Sequence, residues 1–186
     1  MRVMPRIIQR DKSIRSGWRC DSCGELVSDV QAGWVEWVAT EEINGKPEAG
    51  GLRLVHHRNS SPRGQESHAC QYNPRDEFRK NLGIVEGLPL DRFLGPDGLI
   101  LLLSMIAEGE LPVQELIEFA KRVQIPGYEA VYEMVDDAVS EGVIAPCISR
   151  GFYLQCEIWD VLQWAKWRTS AKVSHIEHEN RRVVSH

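Results

Sequence analysis

The sequence predicts an α+β protein, with a small antiparallel β domain over residues 18–73 and a mainly helical domain over residues 96–172. Three patterns carry this prediction. Aromatic and β-branched segments at 34–39 and 52–57 flank a stretch rich in Gly and Pro, which reads as two strands of a hairpin. Apolar residues recur at helical spacing through 97–141 and again through 155–172, as amphipathic helices require. Cys20-Asp21-Ser22-Cys23-Gly24 forms a knuckle sequence with His56 and Cys70 downstream, and these are metal-ligand side chains.

The totals bound the function classes. A chain of 186 residues fits one ample domain or two small ones. Its longest apolar run, residues 99–106, is broken by Ser104 and falls short of the roughly 20 residues that cross a bilayer. Residues 1–19 lack an apolar core of signal-peptide length. A cytoplasmic protein with no membrane partner is therefore expected. An odd number of cysteines, 5 in all, with one Cys-x-x-Cys favours metal binding over a disulfide framework in a reducing compartment.

Charge is segregated along the chain. Residues 1–19 carry six basic side chains and one acid, Asp11, whereas residues 96–146 carry two basic side chains and ten acidic ones. Residues 1–17 are expected to be a flexible basic arm. Its Arg6, Arg10, Lys12 and Arg15 are the candidate nucleic-acid contacts, because cations are what phosphate requires.

In the β domain, a strand at 18–20 enters the knuckle, and Gly24 relieves the turn of a Cβ clash. The strand at 34–39 is followed by a turn-rich loop at 41–51 containing Asn44-Gly45, Pro47 and Gly50-Gly51. On the return strand at 52–57 the side chains alternate. Leu52, Leu54 and His56 share one face and Arg53, Val55 and His57 the other, so the Leu face aims His56 inward. Zinc takes four N or S donors. Cys20, Cys23 and Cys70 supply three, and His56 is the fourth by strand parity, with His57 and His68 as the alternatives. One structural Zn2+ is expected. A redox role for the Cys-x-x-Cys would need a helix after it to depress the thiol pKa, and no helical pattern follows Cys23.

Residues 18–72, by the Cys20-x-x-Cys23-Gly24 knuckle and a second ligand pair from the neighbouring hairpin, resemble zinc-ribbon-like domains. The likeness implies a binding module. It departs from the family pattern in its second pair, which is either the wide His56…Cys70 or the tight His68-x-Cys70. His56-His57-Arg58-Asn59 after a Cys-x-x-Cys also resembles HNH-type nucleases, which implies His57 as a base. That pattern requires a further metal-binding or catalytic His or Asn on a following helix, whereas downstream there is Asn81, no His between His68 and His175, and a lone Cys70 instead of a Cys pair.

Residues 74–95 are expected to be a connector with a short helix at 75–82. A buried helix over 97–108 ends at Gly109, and Pro112 opens a second helix with Val113, Leu116, Ile117, Ala120 and Val123 on its apolar stripe. A third helix is expected over 128–141, then two short strands at 143–145 and 148–154. Three helices followed by a hairpin is the order of a winged helix, so the helical domain reads as winged-helix-like. The third helix would be the reading helix, yet it offers Glu129, Glu133, Asp136, Asp137 and Glu141 and no Lys or Arg. A last helix over 155–172 presents Ile158, Val161, Leu162 and Ala165 inward, and residues 173–186 are expected to be a flexible tail.

No nucleophile–base–orienter set, Gly-rich phosphate loop or carboxylate pair is visible. The sequence therefore points to a non-enzymatic, zinc-stabilised binding or regulatory protein that acts through a protein partner or self-association. A nucleic-acid binder using the basic arm and the zinc domain is the alternative. A metal-dependent hydrolase with His57 as base is a third reading.

Overall fold

The structure, a computed structural model, describes residues 17–43, 46–64, 68–146 and 151–183. The basic arm with Arg6, Arg10, Lys12 and Arg15 lies outside the described residues, as do 147–150. The described residues form a mixed α+β fold with two small antiparallel sheets and six helices.

A short ribbon comes first, β1 (Trp18–Arg19) paired with β2 (Leu26–Val27). The main sheet holds β3 (Gly33–Ile43), β4 (Lys46–His56) and β5 (Ile84–Pro89) in the order β4-β3-β5. Trp34 faces Val55 on one side and Pro89 on the other. The hairpin is the one the sequence predicts, but its strands are longer. Most of the turn-rich stretch at 41–51 continues the two strands, with register shifts between Glu36 and Val38 and between Thr40 and Ile43. Gly51, at φ 71°, serves an irregularity in the ladder and not a chain reversal.

Residues 84–89, expected within a connector, are instead a strand of the main sheet. Gly87 permits this, because a Cβ there would stand 2.6 Å from Trp34 Nε1. Trp37 Nε1 donates to Glu86 Oε2 at 3.0 Å and pins the strand further. Just before it, α1 (Pro74–Asn81) is opened by Asn73, whose side chain accepts the Arg75 N–H, and closed by Leu82 in the left-handed region.

The helical part contains α2 (Gly95–Glu108), α3 (Val113–Gln124), α4 (Tyr128–Val131), α5 (Val135–Ser140) and α6 (Gln155–Val183). Gly109 ends α2 in the left-handed conformation, as its position after the apolar run predicts. The helix is not buried all round, since Ile100 is 66% exposed and Leu99 and Leu103 share its open side. The helix predicted over 128–141 is two helices broken at 132–134. Glu129/Glu133 and Glu133/Asp137 place like charges four residues apart, which weakens one continuous helix. Residues 143–146 and 151–154 form no strand, so the expected pair of short strands is absent from the described residues there. The last helix extends past residue 172 to Val183. Ile158, Val161 and Leu162 are buried as predicted, Trp159 and Trp164 pack beside them, and Trp167 stands exposed.

Two hydrophobic clusters result. One joins the main sheet to α2 and α3 through Val35, Leu54, Leu90, Phe93, Leu102 and Leu116, and it includes Cys20 and Cys70. The other lies among α4, α5 and α6 around Tyr128, Val131, Ala138, Ile158 and Val161. They meet at Ile125-Pro126-Gly127, where Gly127 has φ 83°.

Candidate metal centre

The β1–β2 ribbon turns through the knuckle. The Cys20 N–H donates to Glu25 O at 2.9 Å and the Gly24 N–H to Cys20 O at 2.8 Å. Gly24 has φ 78° with open space where a Cβ would be, so glycine is used there for its backbone and not for room. Asp21 docks the knuckle on the edge of β4. Its N–H donates to Leu54 O at 2.8 Å, and its Oδ2 accepts the Leu54 N–H at 2.7 Å. That pairing brings both cysteines beside His56, the last residue of β4.

Cys70 arrives from the loop after β4. His68 and Ala69 both take positive φ, 69° and 58°, so the chain coils tightly before Cys70. Arg53 Nη2 donates to Cys70 O at 3.3 Å, and Ser61 Oγ lies 3.0 Å from Cys70 Sγ. Arg63 reaches across to the knuckle and donates to Ser22 Oγ and Ser22 O at 3.1 and 2.6 Å.

These elements gather Cys20, Cys23, His56 and Cys70. One ligand atom from each lies within 4.8 Å of every other, close enough to hold a metal ion. His56 Nδ1 stands 3.5 Å from Cys23 Sγ and 3.9 Å from Cys70 Sγ. Tetrahedral coordination by one N and three S donors would set an N···S edge of about 3.6 Å. Cys20, His56 and Cys70 are buried, and Cys23 is half-buried. His57 turns away, with its ring edge-on to Trp34 at 5.6 Å, and His68 is not in the group.

Burial pushes the Cys20 thiol up, but backbone N–H groups of Cys23, His56 and Ser22 outweigh it and hold the thiol below its ordinary range. Burial pushes Cys23 up to about 11, and the Cys20 and Cys70 sulfurs add to this. A cation is the natural partner for three such sulfurs.

No family model matches the chain, nor does any curated protein or solved structure.

The centre has supports that the sequence did not reveal. Glu36 is 1% exposed, and its Oε1 accepts from Arg53 Nε and Nη2 at 2.9 and 2.7 Å and from the Tyr72 N–H at 2.8 Å. Arg53 also lies over the Tyr72 ring, 3.3 Å from its centroid. This pair holds the chain at Cys70 and again at Tyr72 just after it. Burial raises the Glu36 pKa, and Arg53 pulls against that rise. On the other flank, Arg122 of α3 donates to both Asp21 carboxylate oxygens at 2.9 Å. Arg122 is one of the two basic residues in the acidic middle of the chain. The other, Lys121, is 5% exposed and donates to Glu118 Oε1 at 2.7 Å. No helix among the described residues is long and apolar enough to cross a membrane.

Proposed function

We propose that the chain is a non-enzymatic binding or regulatory protein held together by one structural Zn2+, and that it acts through contact with a protein partner or a second copy. The observation that carries this reading is the closed donor set. Three thiols and one imidazole account for the four positions zinc prefers, and three of the four side chains are buried. A catalytic zinc keeps a position open for water. Three thiolates and an imidazole are also soft donors that favour zinc over magnesium or calcium.

The knuckle ribbon docked on a hairpin is read as zinc-ribbon-like, and the order α2, α3, α4–α5 as winged-helix-like. The acidic residues of the helical part suit a basic partner surface. A cleft of about 450 Å3 there is lined by Glu118, Tyr132, Glu133, Asp136 and Tyr153 among others. The nucleic-acid alternative rests on Arg6, Arg10, Lys12 and Arg15, outside the described residues.

Elemental analysis of untagged full-length protein tests the metal, with about one zinc per chain expected and none after Cys23→Ser. Affinity capture after nuclease treatment tests the partner. A chain that folds without zinc refutes the first part, and a monomer that captures no protein but binds RNA or DNA at low salt refutes the second.

A further inference from the structure

The knuckle that carries two of the candidate metal ligands also carries contacts to the helical unit, beside those that Lys121 of α3 makes with the Tyr128 and Phe152 rings. Arg122 sits at the C-terminal end of α3, two residues before the helix ends, with its side chain 20% exposed. Its donors are used in two directions. Nη1 reaches the Asp21 carboxylate inside the Cys-x-x-Cys, and Nη2 reaches Arg19 O at 2.8 Å. Nε and Nη2 also reach Glu129 of α4 at 2.8 and 2.9 Å. Glu129 closes the ring by accepting the Arg19 N–H at 2.8 Å. Arg19 adds an ion pair to Glu133 at 2.9 Å, and Trp18 Nε1 donates to Arg122 O at 3.3 Å. Burial disfavours the Arg122 charge, but Glu129 and Asp21 more than offset that and keep it charged.

The partners lie on opposite sides of the junction between the two hydrophobic clusters. Arg19 and Asp21 belong to the metal-bearing unit, and Glu129 and Glu133 to the unit of α4, α5 and α6. The linker between α3 and α4 is Ile125-Pro126-Gly127, whose glycine has positive φ. Such a short link fixes the separation of two units and leaves their relative orientation to side-chain contacts.

We propose that the metal centre is a conformational clasp: the ion bound by Cys20 and Cys23 sets the positions of Arg19 and Asp21, these lock Arg122 and Glu129, and loss of the ion releases the α4–α6 unit from its fixed orientation on the sheet. This rests on the centre holding zinc. The ring is made of charge-assisted hydrogen bonds, which need fixed geometry. Asp21 is already paired with Leu54 on β4, and an ion on Cys20 and Cys23 would add a crosslink that narrows the remaining freedom of the knuckle. The fold then has a metal-dependent hinge at 125–127, and a partner surface on α4–α6 would be presented differently with and without the ion.

Hydrogen–deuterium exchange on the full-length chain tests this, with zinc content measured on the same samples. Stripping zinc with a chelator is expected to speed exchange in 128–146 and 155–165 by about tenfold, the worth of one charge-assisted hydrogen bond, while α2 amides stay protected. Arg122→Met should retain its zinc, exchange rapidly in those segments, and no longer respond to the chelator. Glu129→Gln keeps the side-chain shape and should give a smaller response than the unmodified chain, which covers the case in which Arg122→Met does not fold. Unchanged exchange in α4–α6 on zinc loss overturns the clasp. So does equal loss of protection in α2, which would mean that the ion holds the whole fold. A protein that takes up no zinc would overturn the proposed function as well, whereas zinc uptake with an indifferent α4–α6 overturns the clasp alone.

Discussion

Glu36 shows how a single carboxylate can brace a candidate metal centre without touching it. It anchors Arg53 and the Tyr72 N–H at one oxygen, and Arg53 in turn holds Cys70 O. Glu36→Ala would leave Arg53 without its counter-charge at a largely covered position. The expected loss is about 3 kcal/mol of stability in the zinc-loaded protein, read from urea denaturation midpoints, with weaker zinc retention because the Cys70 chain slackens. The sequence marked Cys20, Cys23 and Cys70 as donors and left the fourth among His56, His57 and His68, with His56 favoured. The knuckle spacing marks Cys20 and Cys23, and strand parity selects His56 over His57, whose ring packs on Trp34. It did not speak for Glu36. A charged residue between Trp34 and Trp37 reads as solvent-facing, and its burial depends on Tyr72, a residue 36 positions away. Parity also misses Val55, which is buried although Leu54 and His56 face the other way. Both sides of that strand are covered.

At the scale of elements, β5 is the clearest gap between pattern and fold. Its six residues contain Gly87 and end on Pro89, residues that ordinarily argue against a strand. Glycine is required there because the strand passes against the Trp34 ring. A Cβ at 87 would also stand 2.7 Å from Val35 O, and a backbone atom cannot swing aside. Gly87→Ala is therefore expected to cost about 1–3 kcal/mol, seen as a lower thermal midpoint and as faster exchange of β3 amides facing β5. The helices α2 and α3 were legible because period, cap and breaker agree: Gly109 closes one, and Pro112 precedes the next. The break between α4 and α5 was harder to read, since no Gly or Pro marks residues 132–134 and only the like charges at 129, 133 and 137 speak against one helix. Only the pairing of Glu129 with Arg122 and of Glu133 with Arg19 shows why the two short helices are held where they are.

For the molecule as a whole, the metal and the fold are expected to be thermodynamically linked. A zinc that binds the folded chain and not the unfolded one adds about 2.7 kcal/mol when free zinc is 100 times its dissociation constant. For a chain of 186 residues this corresponds to a rise of about 5–10 °C in Tm, measurable with free zinc set by a chelator buffer. A Tm independent of free zinc would show that the ion contributes nothing to folding. That a hairpin comes early in the chain and amphipathic helices follow was visible in the sequence. The grouping of apolar residues was not. The apolar clusters divide after α3, because α2 and α3 serve the sheet and α4 to α6 serve one another. Which helices cover a sheet depends on contacts between distant parts of the chain, and periodicity within one segment carries no record of them.

The Asp21–Arg122 contact has a separation of 101 residues, and this gives the fold a chronology. All four metal donors have been synthesised by residue 70, while Arg122 and Glu129 are still to be added. At about 5–20 residues per second, the ribosome needs about 3–10 s to pass from Cys70 to Arg122. During that interval all four candidate donors precede the arginine that contacts their knuckle. With the proposed zinc in place, the order of the residues lets the donor set be complete before the α3 arginine that touches its knuckle is added.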